Sequence, residues 1–334
     1  MRALVTGANG FLGRHVVAAL RRAGHEVRAL VRPAANLNGL DETARIEIMR
    51  ADLRSSPDLA PAFEGVDGVV HLAAAMGGSD FTRFSETAMG TERLFDAMSH
   101  AKVRRLVLCS SFSVYDWLAA HGTVDEELPV APRVYDKGGY ATAKLWQERM
   151  ARRAAEAHAW QLTVLRPGFI WGRGNELPPG SMGRQVGRFH LVFAPGRQLP
   201  FTHVENCADC FRAALESDRV IGQTLNVVDG YELTAWRFMG EALRRGGASG
   251  VRVGIPYLPL RALIGSIHAV AGLLLGQRAK LPNLFVPWEL AQGYRPLRYS
   301  TRSLQDVLNW RPPLDLEECL RRTFSVDGGG TRRA

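Results

Sequence analysis

Lysine is scarce in this chain of 334 residues: of 42 basic residues only Lys102, Lys137, Lys144 and Lys280 are lysine, and the other 38 are arginine. The arginines are interleaved with 33 acidic residues and gather only in pairs such as Arg152-Arg153, Arg244-Arg245 and Arg321-Arg322. A continuous basic stripe is therefore missing, and the formal charge of +9 does not point to nucleic acid. What remains is a modest attraction for anionic substrates or surfaces. Cysteine is also sparse. Cys109, Cys207, Cys210 and Cys319 give no small-domain disulfide framework. The pair in "VENCADCF" lies in a helical pattern and has no second pair to complete a zinc site, so it reads as structural. No other ligand cluster is present, so no metal is expected. No charged leader runs into an apolar stretch and a cleavage site, which points to the cytoplasm. The longest apolar run, Leu258 to Gly276, is interrupted by Arg261, Ser266 and His268 and falls short of the roughly 20 residues of a membrane span. It predicts a buried or lid helix in a second lobe, with attachment to a membrane surface as the alternative.

Strand-like and helix-like patterns alternate through the first half. "RALVT" is followed by "FLGRHVVAALRRAG", which has helical periodicity, and then by "EVRALV", "RIEIM", "VDGVVHLAA", a helical stretch around 81 to 98, and "VRRLVLCS". Strands that are apolar nearly throughout, separated by helices, predict a parallel sheet covered on both faces. The fold class expected is α/β, a doubly wound parallel sheet of the Rossmann type with a smaller, mostly C-terminal substrate-binding lobe. The division expected is residues 1–166 for the dinucleotide-binding part, completed by parts of 202–228, with 167–201 and 229–324 for the lobe and 325–334 as a disordered tail.

The glycines of "MRALVTGANGFLGR" stand between the first strand and the first helix. Gly7 suits the tight turn, Gly10 a close approach of backbone to pyrophosphate, and Gly13 close packing of the helix, whose N-terminus favours phosphate. The spacing is GxxGxxG, so the GxGxxG fingerprint is not matched letter for letter. After the second strand the chain reads "VRPAAN", with Val31 where an acid would take the adenosine ribose hydroxyls and Arg32 beside it. A guanidinium there suits a 2'-phosphate, so NADP is expected over NAD, with Arg14 a second candidate for the same phosphate. Asp52, after the third strand, is open to two roles, an acceptor for the adenine amino group or a helix cap.

In "GGYATAKLWQERM" Tyr140 and Lys144 are four apart in a helical pattern and so share a face. A neighbouring ammonium favours the phenolate of tyrosine, which makes the pair a proton donor or acceptor. "LVLCSSFSVY" places Ser110, Ser111 and Ser113 at the carboxyl edge of the sheet, where a hydroxyl would complete a Ser-Tyr-Lys set for hydride transfer. Serines after a strand also form turns.

With these motifs in order, followed by "LRPGFIWG", "FTHVENCADCFRAAL", "GQTLNVVDG" and "YSTRSLQDVLNWRPPLDLEECLRRTF", the chain resembles the extended short-chain dehydrogenase/reductase superfamily over nearly its full length. That superfamily holds sugar-nucleotide epimerases and dehydratases, dihydroflavonol reductases and 3β-hydroxysteroid dehydrogenases. The resemblance implies Tyr140 as acid/base, Lys144 as the group that lowers its pKa and binds the nicotinamide ribose, and Ser111, four before Tyr115, as the hydroxyl that orients the reacting oxygen. Ser113 is the second choice. It implies a cofactor site of Gly7, Gly10, Phe11, Leu12, Gly13, Arg32, Asp52, Leu53, Leu72, Ala73, Ala74, Tyr140, Lys144, Pro167 and Gly168. Thr87 stands where many relatives have asparagine. A homodimer is implied by the same likeness.

Two departures bear on the substrate. Phe112 and Ser113 replace the Asp-Glu pair that sugar-nucleotide dehydratases use to eliminate water, so dehydration is not expected. Phe169 stands where epimerases place an asparagine on the diphosphate, and a phenyl ring donates no hydrogen bond. The expected substrate-binding residues are Met76, Phe112, Phe169, Trp171, Met182, Phe189 and His190. The leading expectation is an NADP-dependent oxidoreductase that interconverts a secondary alcohol and a ketone on a fairly apolar small molecule. The alternative is an NAD(P)-dependent epimerase of a sugar or sugar nucleotide that passes through a transient ketone.

Overall fold

A computed structural model describes residues 1–37, 39–40, 45–178, 180–246, 248–275 and 287–324. The expected 325–334 tail lies outside the described residues. The chain runs β1 (Arg2–Thr6), α1 (Phe11–Arg22), β2 (Glu26–Val31), β3 (Ile46–Arg50), β4 (Gly68–His71), α2 (Asp80–His100), β5 (Arg105–Cys109), β6 (Thr123–Val124), α3 (Gly139–His158) and β7 (Gln161–Pro167). It continues with β8 (Phe169–Trp171), β9 (Gly183–Val186), β10 (Phe189–Phe193), β11 (Phe201–His203), α4 (Val204–Glu216), β12 (Thr224–Val227), α5 (Ala235–Arg244) and β13 (Val251–Ile255). Last come α6 (Tyr257–Leu275), α7 (Pro287–Tyr294), β14 (Arg298–Tyr299), α8 (Arg302–Asp306) and α9 (Leu316–Phe324).

Seven strands form one parallel sheet in the order β12-β7-β5-β4-β1-β2-β3. Strand order reverses between β1 and β4, which opens a crevice at the carboxyl ends of the strands where ligands of such sheets bind. The inner strands are largely apolar because both faces are covered, whereas the edge strand β3 keeps Glu47 and Arg50 exposed. Val16, Val17 and Leu20 of α1 pack with Cys207, Cys210 and Phe211 of α4 on one face, while Leu94, Phe95 and Met98 of α2 pack with Ala151 of α3 on the other. Each Val, Leu, Phe and Met side chain among these contributes about 1.5–3 kcal/mol when fully buried. Cys207 and Cys210 are buried free thiols in this packing, as their helical pattern indicates.

The lobe is built on paired β8 and β11, a three-stranded sheet β13-β10-β9, and helices α5, α6, α7 and α9. Its centre is an aromatic cluster in which Phe238 meets Trp171 at 5.0 Å and Phe201 at 4.9 Å, both edge to face. Leu304, Leu308 and Trp310, which the sequence division assigns to the lobe, pack instead into the core of the large sheet. Trp310 anchors there through Nε1, which donates to Asp209 at 2.9 Å.

The apolar run does form a helix, α6, but the helix is not buried. Among its described side chains only Leu260 and Ile264 are buried, against Phe193, Leu290 and Tyr294. The physical reason is geometric: a helix hydrophobic on every side needs partners on every side, and the lobe supplies a surface to one stripe alone. Among the described residues no helix is long and apolar enough to cross a membrane.

Candidate active site

The loop after β1 is held by backbone contacts that leave no space for a side chain. Gly7 has φ +67°, and a Cβ there would lie 3.0 Å from the backbone nitrogen of Ala73. At Gly13 a Cβ would sit 2.1 Å from the carbonyl oxygen of Gly7, so α1 closes onto the loop only because that position lacks one. Gly10 donates its N–H to Gly7 O at 3.0 Å and precedes the first turn of α1. The result is a side-chain-free cradle at a helix N-terminus, which fits the pyrophosphate of a dinucleotide. Phe11 and Leu12 begin that helix, and Leu72, Ala73 and Ala74 form the facing wall at the end of β4.

Behind the cradle lies a buried polar network. His71 is bonded to Thr6 Oγ1 at 2.7 Å through Nδ1 and, through Nε2, to Thr91 Oγ1 and Gln147 Nε2 at 3.0 Å each. Gln147 also donates to the carbonyl of Ala73 at 3.2 Å. Burial, with the charge of Lys144 adding, lowers the pKa of His71 to about 3. The ring is therefore neutral, and protonation at Nδ1 satisfies the pattern by donating to Thr6 and accepting from Gln147. Thr87 accepts from the N–H of Ala75 at 2.9 Å and so holds the chain leaving β4.

Helix α3 brings Tyr140 and Lys144 to the carboxyl edge of β5. Lys144 is buried, donates from Nζ to the carbonyl of Cys109 at 2.7 Å, and has its ammonium 5.9 Å from the centre of the Tyr140 ring. Ser111 caps a short turn, accepting from Ser113 N at 3.1 Å, and its hydroxyl lies on the Tyr140 side of that turn, close enough to bear on the phenol's ionisation. Burial raises the pKa of the phenol, with the nearby Cys109 thiol adding to the rise, while Ser111 opposes it. Burial lowers that of Lys144, opposed by Cys109 and Glu148. Ser111, Tyr140 and Lys144 thus converge.

Two buried pairs fix α3 against the sheet. Glu148 takes a bidentate bond from Arg166 of β7 at 2.8 and 2.7 Å and accepts from Ser110. The Arg166 guanidinium stacks 4.7 Å from the centre of the Tyr115 ring, and Tyr115 donates to Asn226 Oδ1 at 2.6 Å. The mutual orientation of β5, α3, β7 and β12 therefore runs through named side chains.

Next to the Ser111 hydroxyl a groove is lined by Ser111, Phe112, Ser113, Trp117, Gly168, Phe169, Pro200 and Gln292. Phe112, Trp117 and Phe169 give an aromatic wall, and the Ser113 hydroxyl and the Gln292 carboxamide oxygen are buried without a partner among the described residues. Of the expected substrate residues, Phe112 and Phe169 are in this groove. Trp171 is wholly buried in the lobe core. Met182 and His190 line a separate depression with Arg184 and Met239, and His190 Nε2 is bonded to Ser249 O at 2.8 Å. Phe189 is exposed beneath Arg188, and Met76 is exposed on the loop after β4. Trp117, Pro200 and Gln292 were invisible to motif reasoning: each is remote in sequence from Tyr140, and none belongs to a spaced pattern.

On the cofactor side, Pro167 and Gly168 end β7 beside the groove, and a Cβ on Gly168 would lie 2.0 Å from Pro200 O. Asp52 is committed to Arg54, which donates to it from Nε at 2.9 Å and Nη2 at 2.7 Å. Those bonds lower its pKa to about 2. Leu53 packs beneath it against the α2 side of the sheet. Arg32 is exposed just past β2, and Arg14 turns toward Gly174 of the lobe.

The chain is similar to an Arabidopsis thaliana protein described as 3beta-hydroxysteroid-dehydrogenase/decarboxylase isoform 1. The two are 28% identical over 348 residues, which cover 96% of this chain and 78% of that one. In fold it is similar to UDP-glucuronic acid 4-epimerase from Bacillus cereus in complex with NAD, with a TM-score of 0.71, 21% identity and coverage of 97% of each chain. It is likewise similar to MoeE5 in complex with UDP-glucuronic acid and NAD, with a TM-score of 0.68, 25% identity, and coverage of 97% of this chain and 98% of that one. Both solved structures hold NAD, which overturns the expectation of NADP drawn from Arg32. An exposed guanidinium at a strand end is free to lie away from a ribose, and in a chain with 38 arginines its presence there is weak evidence of a phosphate. The sequence profile of the NAD dependent epimerase/dehydratase family matches residues 3–227, and the chain belongs to that family, whose members are NAD(P)-binding enzymes of the oxidoreductase and epimerase type.

Proposed function

We propose that the protein binds NAD, oxidises a secondary alcohol of a hydroxyl-rich small molecule, a sugar or sugar derivative, to the ketone, and reduces the same carbon again, so that the net reaction is an epimerisation. The observation that carries this reading is the groove beside Ser111. Ser111, Ser113 and Gln292 offer hydrogen-bonding groups on one side, and Phe112, Trp117 and Phe169 offer apolar faces on the other. A ring with several hydroxyls has both kinds of surface, and the unpaired Ser113 and Gln292 oxygens are costly unless a ligand satisfies them. The fairly apolar substrate expected from Phe169 and the hydrophobic run would leave these polar groups without partners. The UDP-sugar ligand of MoeE5 supports the same class of substrate.

Bound NAD supplies the hydride acceptor. Gly7, Gly10 and Gly13 hold its pyrophosphate, Leu72 to Ala74 wall the ribose, and Lys144 donates to the nicotinamide ribose. Tyr140 takes the alcohol proton as the ketone forms and returns it when the alcohol is rebuilt, and Ser111 donates to the reacting oxygen throughout. Lys144 favours the phenolate electrostatically. The oxidation half-reaction therefore accelerates as pH rises along the ionisation of Tyr140, because burial sets that ionisation high and only the phenolate accepts a proton. Lys144→Met removes the stabilising cation and moves this limb to still higher pH, which a pH profile of single-turnover oxidation reads directly.

A second reading, a dehydrogenase that releases its ketone, is favoured by the aromatic wall and by the hydroxysteroid dehydrogenase likeness. The deciding experiment incubates the purified protein and NAD with a panel of free and UDP-linked sugars, following the stereocentre by NMR and NADH by its absorbance. Inversion without net NADH is expected. NADH accumulating in step with a ketone product would replace epimerisation by the dehydrogenase reading.

A further inference from the structure

Helix α6 exposes more apolar surface than any function of the groove requires. Leu258, Leu263, Val270 and Leu273 are 71%, 59%, 52% and 85% exposed. Among its described side chains the inner stripe, Tyr257, Leu260 and Ile264, packs on the lobe. On the outer side the sole polar interruptions are Arg261, Ser266 and His268, and all three are exposed. Helix α6 contains no carboxylate, and between Glu241 and Glu289 the sequence has no acidic residue at all, while it carries Arg252, Arg261, Arg278 and Lys280.

We infer that the outer face of α6 is a docking surface for an anionic lipid bilayer, on which the helix lies in the interfacial plane with its Leu and Val side chains in the acyl boundary. Charge complementarity selects the occupant. A symmetric pairing of α6 with its copy in a second chain would bring Arg261 and His268 of both helices into one interface, and the helix has no acid to pair them. Anionic headgroups meet the same cations favourably, and arginine reaches the headgroup layer while its stem stays in apolar surroundings. The helix has 19 residues but does not span, because its inner stripe is fixed to Phe193 of β10 and to Leu290 and Tyr294 of α7. Helix α7 also carries Gln292 into the groove, so the lipid-facing helix and the substrate groove share one support.

The test is co-sedimentation of the full chain with vesicles of phosphatidylcholine alone and of phosphatidylcholine with phosphatidylglycerol, at low and high salt. Expected are binding to the phosphatidylglycerol vesicles, weakening as salt rises, and a loss of at least about tenfold in the partition constant for the double variant Leu263→Asp/Leu273→Asp. Both positions are exposed and outside the groove, so thermal unfolding and NAD binding of the variant should match the parent, which separates lost docking from lost folding. Equal sedimentation with and without vesicles would overturn the inference, as would variant binding equal to the parent's. So would light scattering that shows a parent dimer converted to monomer by the same substitutions, since α6 would then be covered by a second copy.

Discussion

Tyr140→Phe is expected to lower kcat by about a hundred- to ten-thousand-fold, the range over which a positioned acid/base acts, while leaving NAD affinity close to the parent's. The phenol is a proton-carrying group whose ionisation Ser111 influences, on a ring 5.9 Å from the Lys144 ammonium, and that ring, which phenylalanine keeps, supplies what packing it contributes. Cofactor titration by tryptophan quenching alongside turnover separates the two effects. Turnover within a few-fold of the parent's would remove Tyr140 from the mechanism. Loss of cofactor binding in step with turnover would instead mark the hydroxyl as a cofactor contact.

Glu148→Ala carries the largest expected effect on stability. It leaves the Arg166 guanidinium buried, both members of the pair being almost wholly inaccessible, with only the Tyr115 ring against it. Breaking a buried pair from one side costs about 3–5 kcal/mol, which for a chain of this size corresponds to a fall in Tm of roughly 4–7 °C. The double substitution Glu148→Leu/Arg166→Met should recover most of that loss, because the penalty belongs to the unpaired charge more than to the missing attraction. If the single and double variants melt together, the pair is not what fixes α3 on the sheet. Calorimetry of the three proteins decides it.

The parts of the site legible in the sequence are those whose function demands short-range spacing. Gly7, Gly10 and Gly13 are readable because a backbone cradle between a strand and a helix excludes side chains at set intervals. Tyr140 and Lys144 are readable because four residues make one helical turn. The parallel sheet is readable because a strand covered on both faces is apolar at every position. Arg32 shows the limit of the same approach: its place after β2 suggests a phosphate contact, yet the NAD-bound relatives overturn the cofactor preference inferred from it.

The sequence by itself determined the class of fold, the cradle and the helical pairing of phenol and ammonium, since all three follow from local periodicity and backbone sterics. Only the tertiary structure decided what faces the reacting atoms and what faces solvent. Gln292 of α7 and Trp117 join Ser111 in one groove, whereas Trp171, four residues past the end of β7, turns into the lobe core. The hydrophobic run that predicts a buried helix ends up exposed along most of α6. Burial is a property of how many partners surround an element, and a helix contacts the lobe through one stripe however apolar its remaining faces are.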